Sequence, residues 1–126
     1  MMTENDISYQ IRGAIFEVYN SLGPGLLESV YEEALVYELQ QRGLKVERQM
    51  KVPIIYKGVV LRTDLRLDLL VEDQVIVEIK STTELQDVFY KQILTYLKLM
   101  NKKLGILVNF NTADLGDSIK RIVNGL

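Results

Sequence analysis

The hydrophobic period of this chain shifts from 3.6 residues to two at Lys45 and back to 3.6 near Glu84, and that shift dictates its architecture. Ile7, Ile11, Ala14, Ile15, Val18, Tyr19 and Leu22 share one face of a 3.6-residue period, which predicts an amphipathic helix. Gly23-Pro24-Gly25 ends it, because two glycines around a proline cannot continue a helix. Leu26, Leu27, Val30, Tyr31, Ala34, Leu35 and Leu39 restore the spacing in a second helix, expected to stop near Gly43 with a left-handed cap. Val46 to Val52 and Ile54 to Tyr56 read as a strand interrupted at Pro53, hence an edge strand or a bulge. Lys57-Gly58 is a turn, followed by Val59 to Leu61, a strand from Asp64 to Val71 and another from Val75 to Lys80. Glu84 to Met100 is helical in spacing, Leu104 to Phe110 is a short apolar strand, and Asp114 to Val123 is expected to be a closing helix. The order α-α-β-β-β-α-β-α predicts an α+β domain, an antiparallel meander flanked by helices. With 126 residues, no repeat and no linker, residues 1–126 are expected to form a single domain.

Two absences narrow the chemistry. The chain has no cysteine and no histidine. That excludes disulfides, thiol nucleophiles, iron–sulfur clusters, thiolate or imidazole zinc sites and every histidine-based acid–base relay. Carboxylate, lysine, tyrosine, hydroxyl and amide side chains are left, and they suit a hard, oxygen-seeking ion such as Mg²⁺ or Mn²⁺. The net charge of −2 argues against coating nucleic acid by bulk electrostatics, but not against a local grip on a phosphodiester. No apolar run reaches the length of a membrane span, and Met1 to Asp6 is polar and acidic without a signal-peptide core. The expectation is a cytoplasmic protein with no membrane partner.

Two strands carry charge where apolar residues are the rule. In Val75 to Lys80, Val75, Val77 and Ile79 share one face, so Glu78 and Lys80 project from the other, roughly 6.6 Å apart along the strand. On the preceding strand Leu65, Leu67, Leu69 and Val71 are expected on one face and Asp68 on the opposite one. A two-residue turn would set Asp68 against Ile79, charge against an apolar stripe. A three-residue loop, Glu72-Asp73-Gln74, aligns the apolar sets and brings Asp68, Glu78 and Lys80 to one face. Register follows the hydrophobic pattern, so the odd loop is expected. Two adjacent carboxylates repel unless a cation sits between them. A divalent ion would satisfy both and activate water at neutral pH. Lys80 beside it can orient or deprotonate the attacking water or stabilise developing phosphorane charge. A solvated Glu78–Lys80 pair worth little is the plainer reading of the same residues.

On the following helix, Leu85, Val88, Phe89, Ile93, Leu97 and Met100 define an apolar stripe, with Gln92 near its centre and Tyr96 one turn on. A glutamine there needs a partner; it either bonds a neighbouring carbonyl or lines a cleft with Tyr96. In Gly25-x-x-Glu28-x-x-Tyr31, Glu28 sits near a helix N-terminus, where a carboxylate suits the dipole without further purpose. Glu38, nearer the middle of the same apolar stripe, is a rival candidate for a buried carboxylate.

Asp68, Glu78-Ile79-Lys80 and Gln92-x-x-x-Tyr96, in that order, resemble the PD-(D/E)XK nuclease superfamily, and residues 23–34 resemble its GxxExxY family. The likeness runs from about Ile7 to Phe110. It implies a restriction-endonuclease-like αβββαβ core with a mixed, mainly antiparallel four-stranded sheet, hydrolysing phosphodiesters of DNA or RNA with Mg²⁺ or Mn²⁺. By that resemblance Asp68 and Glu78 are metal ligands, Glu28 completes the ligand set, and Lys80 is the catalytic lysine. Gln92 and Tyr96 form the helix motif of RecB-like branches. The motif's leading proline is replaced by Leu67, a departure common among relatives.

The resulting expectation is a metal-dependent nuclease, with Lys45, Arg48, Lys51, Arg62 and Arg66 as candidate backbone contacts. The alternative is an inactive binding module or partner subunit that keeps the fold. Small size, acidic balance and the lack of a recognition insert support that alternative. A homodimer is plausible because so small a protein covers little of a duplex.

Overall fold

The structure is a computed structural model describing residues 2–126. Helix α1 (Glu4–Leu22) opens on a capping box: Thr3 Oγ1 accepts from Asp6 N–H and the Asp6 carboxylate accepts from Thr3 N–H. Helix α2 (Glu28–Gln41) ends as the sequence suggests, with Gly43 at φ +80°. Gly43 N–H bonds Gln40 O, and the N–H of buried Leu44 bonds Leu39 O, which closes a Schellman cap.

Strands β1 (Val46–Lys51), β4 (Arg66–Val71), β5 (Val75–Lys80), β6 (Leu104–Asn109) and β7 (Ile119–Val123) form a five-stranded sheet in the order β1-β4-β5-β6-β7. β2 (Ile55–Tyr56) and β3 (Val59–Val60) make a separate two-stranded ribbon. Helix α3 (Asp87–Met100) is the crossover between β5 and β6, which run parallel; β1–β4, β4–β5 and β6–β7 run antiparallel. The architecture is therefore α+β with a mixed sheet, one strand wider than the four expected.

The extra strand comes from the C-terminal segment, where the sequence reading expected a helix. Gly116–Ser118 is a single 3₁₀ turn, and Ile119 to Val123 pairs with β6. β-branched Ile119, Ile122 and Val123 favour extended backbone, and the strand covers what would be the open edge of a fully buried β6. Its two sides serve both cores: Ile119 packs under α1 and α2, and Ile122 packs under α3.

Both faces of the sheet are covered. α1 and α2 close over Leu69, Val71, Val75, Val77 and Ile79, while α3 closes over Leu70, Ile76 and Leu107. At Gly105 a Cβ would lie 2.6 Å from Ile93 Cγ2, so glycine is what lets α3 approach β6 this closely. The apolar stripes are shorter than expected: Leu26, Leu27, Val30 and Val88 are exposed, because the helices start at Glu28 and Asp87 and leave these residues at their open ends. Among the described residues no helix is long and apolar enough to cross a membrane.

Candidate active site

The β4–β5 connection is Glu72-Asp73-Gln74, with Glu72 and Asp73 at positive φ, and it sets the odd-loop register: Val71 opposite Val75, Leu70 opposite Ile76, Leu69 opposite Val77. One step further, Asp68 comes opposite Glu78, and there the ladder opens. Asp68 N–H donates to Glu78 Oε2 at 2.6 Å, and Ile79 N–H donates to Asp68 Oδ2 at 2.7 Å. Each carboxylate thus caps the backbone of the other strand where a carbonyl would otherwise sit. Beyond the fork, β4 stays with β1 (Met50 opposite Leu67) and β5 stays with β6 (Glu78 opposite Leu107, Lys80 opposite Asn109). The side-chain pattern changes at the same point: Leu65 and Leu67 join the core under α3, while Leu69 and Val71 join that under α1 and α2. The expectation that all four share one face is corrected, because the alternation breaks where β4 parts from β5.

Burial and neighbouring carboxylates shape the electrostatics of this pair. Glu78 is 4% exposed and Asp68 half-buried. Desolvation, and then the neighbouring Asp68 charge, push the Glu78 carboxyl up to about 8. Desolvation also raises Asp68, opposed by its bond from Ile79 N–H. Carboxylates raised in this way behave as one titrating unit that holds a proton near neutrality. Tyr96 on α3 is 2% exposed and pushed up to about 12 by burial, then by the negative fields of Glu78 and Asp68. Its phenol lies within electrostatic reach of the fork and keeps its proton.

Lys80 is half-buried, with Nζ 4.5 Å from the Phe89 ring centroid. It makes no ion pair within 4.0 Å among the described residues, yet its charge lowers the pKa of both carboxylates. Gln92 is half-buried one turn before Tyr96, and its side chain makes no hydrogen bond with the described residues. Glu28 is the exposed first residue of α2; its charge reaches Glu78, but the side chain stays outside the fork. Glu38 belongs elsewhere: it pairs with Arg42 at 3.8 Å on the solvent side of α2.

The GxxExxY segment is tied to this end of β5 by its tyrosine. Buried Tyr31 donates its hydroxyl to Gly23 O at 2.6 Å, accepts from Leu26 N–H at 3.1 Å, and stacks on Phe110 with centroids 4.3 Å apart. Ser81 Oγ, just past β5, donates to Leu26 O at 2.6 Å. Buried Asn109 clamps the same loop through Thr82 N–H and O. Together these contacts hold the α2 N-terminus, and with it Glu28, beside the end of β5.

Two residues near the fork escaped the sequence reading. Gln49, at φ +49° on β1, donates from Nε2 to Glu32 Oε1 at 2.6 Å and to Asp68 Oδ1 at 3.3 Å. Glu32, whose charge raises Asp68, is also held by Arg48 Nη2 at 3.0 Å. The one signal in the sequence was the i, i+4 spacing of Glu28 and Glu32; the place of Gln49 beside Asp68 comes only from the pairing of β1 with β4. Of the candidate backbone cations, Arg48 is held by Glu32 and Glu33, Arg66 by Asp64, and Lys45 by Glu47. Lys51 and Arg62 are exposed and make no ion pair among the described residues.

Among the described residues no group of three or more His, Cys, Asp or Glu is gathered as a metal cage. The Asp68–Glu78 pair nonetheless fits a hard divalent ion. Both donors are carboxylate oxygens, both are raised by repulsion and desolvation that a dication would relieve, and Glu78 Oε1 takes no hydrogen bond from the described residues. A cavity of about 400 Å³ lined by Ser8, Arg12, Tyr90, Ile119, Lys120 and Arg121 lies beside β7 and includes none of these groups.

The chain thus presents a mixed sheet between helices, forked around two carboxylates with a lysine two residues on. Residues 5–122 match the family model of the PD-(D/E)XK nuclease superfamily, and the chain belongs to that superfamily, whose members generally use divalent metals. No curated protein and no solved structure matches the chain.

Proposed function

We propose that this protein is a Mg²⁺- or Mn²⁺-dependent nuclease of the GxxExxY branch, hydrolysing phosphodiesters of DNA or RNA. The observation that carries the reading is the fork: two carboxylates, one almost fully buried, replace a ladder pair, Glu78 raised by burial and the Asp68 charge and Asp68 raised by burial and the Glu32 charge. A fold spends that desolvation energy only reluctantly, and perturbed paired carboxylates mark functional sites. Asp68 and Glu78 would hold the ion, with Glu28 approaching from α2 as the third carboxylate. A dication bound there supplies Lewis acidity toward the phosphodiester and lowers the pKa of the attacking water.

The chain's own groups do the rest. Lys80, which makes no ion pair among the described residues, turns its ammonium from the Phe89 ring toward the charge that builds on the phosphoryl oxygens. Tyr96, protonated at any physiological pH, offers an O–H donor within electrostatic reach of the fork, and Gln92 offers an amide that is unpaired among the described residues one turn before it. Gln49 and Ile79 N–H fix Asp68 in one orientation, so that less ordering is required when substrate binds.

The test is incubation with circular single-stranded DNA, duplex plasmid and RNA in Mg²⁺ or Mn²⁺, alongside Lys80→Ala. Cleavage by the parent and its loss in the variant are expected. Cleavage that survives in Lys80→Ala would place the activity elsewhere, and no cleavage by the parent would favour a binding module that has lost turnover.

A further inference from the structure

Residues 52–65 form a projecting arm built as a continuation of the strand pair that carries the fork. The β1–β4 ladder runs past Lys51 opposite Arg66 to Val52 N–H bonding Leu65 O at 2.7 Å. It resumes at Leu61 N–H bonding Ile54 O at 2.8 Å, then Ile55 opposite Val60 and Tyr56 opposite Val59. Between these sections Pro53 alone faces Arg62, Thr63 and Asp64, a bulge that re-aims the ribbon. Lys57 and Gly58, at φ +51° and +78°, close it as a type I′ turn. From Gln49, which faces Asp68, to Lys57 is eight residues, an extended reach of at most about 26 Å.

The arm has the wrong surface for solvent. Ile55, Tyr56, Val59 and Val60 are each exposed by 59–65%, and a two-stranded ribbon that buries neither face is marginal by itself. Its charge is also opposite to that of the chain: residues 52–65 carry Lys57 and Arg62 against Asp64, a net of +1, and with Lys51 and Arg66 at its root the segment 51–66 reaches +3 within a total of −2, which leaves −5 for everything else. Asp64 is occupied by Arg66 at 2.8 Å, so Lys51, Lys57 and Arg62 stand exposed without an ion pair among the described residues.

We propose that this arm grips the polynucleotide substrate: Lys51, Lys57 and Arg62 take the phosphodiester backbone, while Tyr56 and its apolar neighbours pack on sugar and base faces. The proposal rests on the nuclease reading and names how that substrate is held. An anionic polymer matches the cations, apolar wedges and an aromatic between cations match its bases, and the acidic remainder repels it from other surfaces. The arm's root beside Asp68 directs a strand gripped there toward the fork.

The experiment is fluorescence anisotropy with a labelled 30-nucleotide single strand and its duplex, in EDTA so that nothing is cut, over a range of salt. Lys57→Gln plus Arg62→Gln should weaken binding about tenfold at 0.1 M salt and lower the slope of log Kd against log salt by about 1.5. Tyr56→Ser plus Val60→Ser should weaken binding with the slope unchanged. These side chains are exposed, so urea midpoints should stay at the parent value, and Lys51→Gln plus Lys57→Gln serves as a second charge pair. If the parent binds and cleaves polynucleotide but all three variants match it, the arm is not the grip and the nuclease reading stands. If the parent neither binds nor cleaves, both readings fall. If the parent elutes as a dimer that Tyr56→Ser plus Val60→Ser dissociates, with DNA binding unaltered, the arm is a self-association surface and the proposal is overturned.

Discussion

Replacing Glu78 with glutamine should stabilise the metal-free protein at neutral pH, an unusual outcome for a change at a candidate catalytic residue. The carboxyl titrates at 4.5 in the unfolded chain and at about 8 in the fold, because it is buried against Asp68. Between those values the native state keeps a proton that the unfolded state releases. Its contribution is therefore complete below pH 4.5 and is lost progressively as pH rises to 8. At pH 7 two and a half units have been traversed, at about 1.4 kcal/mol each, so about 3 kcal/mol of stability is lost. Glutamine cannot ionise, and its carbonyl can still accept from Asp68 N–H. Urea unfolding in EDTA from pH 5 to 8 should show the parent weakening with pH and Glu78→Gln nearly flat. At pH 7 the variant's midpoint should be about 2 M higher, for a urea m-value of about 1.5 kcal/mol/M. Parallel slopes in the two proteins would refute the claim that Glu78 is the buried, proton-holding group.

Lys80→Ala should lower cleavage by roughly 10²–10³-fold, as loss of a charge-stabilising donor does, while leaving the urea midpoint close to the parent's, because among the described residues the ammonium makes no ion pair and only rests over the Phe89 ring. Tyr31→Phe keeps the stack on Phe110 but removes the hydroxyl shared by Gly23 O and Leu26 N–H; a loss of about 1–3 kcal/mol is expected in urea titration. Gly105→Ala drives a methyl to 2.6 Å from Ile93 Cγ2 and should cost about 1–3 kcal/mol by overpacking under α3, read by the same titration.

Much of this arrangement is legible in the residue pattern, because burial writes itself into alternation. The alignment of Leu69 and Val71 with Val77 and Val75 demanded an odd loop, and that loop is what sets Asp68 against Glu78. The opening of the ladder there was not legible: an alternating strand gives no hint that its next N–H will bond a carboxylate. Glu32 and Gln49 were missed because their relation to Asp68 depends on how β1 packs against β4 and on α2, a tertiary fact. The C-terminal segment misled because five residues with Ile119, Ile122 and Val123 fit either period, and the unpaired edge of β6 decided for a strand. The exposed ribbon from Ile55 to Val60 reads as ordinary strand and turn, since sequence alternation does not say which faces remain uncovered.

Calorimetric titration of Mn²⁺ into the parent and into Asp68→Ala plus Glu78→Ala, at pH 7 in buffers of differing ionisation enthalpy, bears most directly on the fork. The parent should bind Mn²⁺ and release about one proton, the one that repulsion and burial keep on the pair, so that its apparent enthalpy follows the buffer; the double variant should show neither effect. Equal Mn²⁺ affinity in the two proteins, or binding by the parent with no proton released, would contradict the assignment.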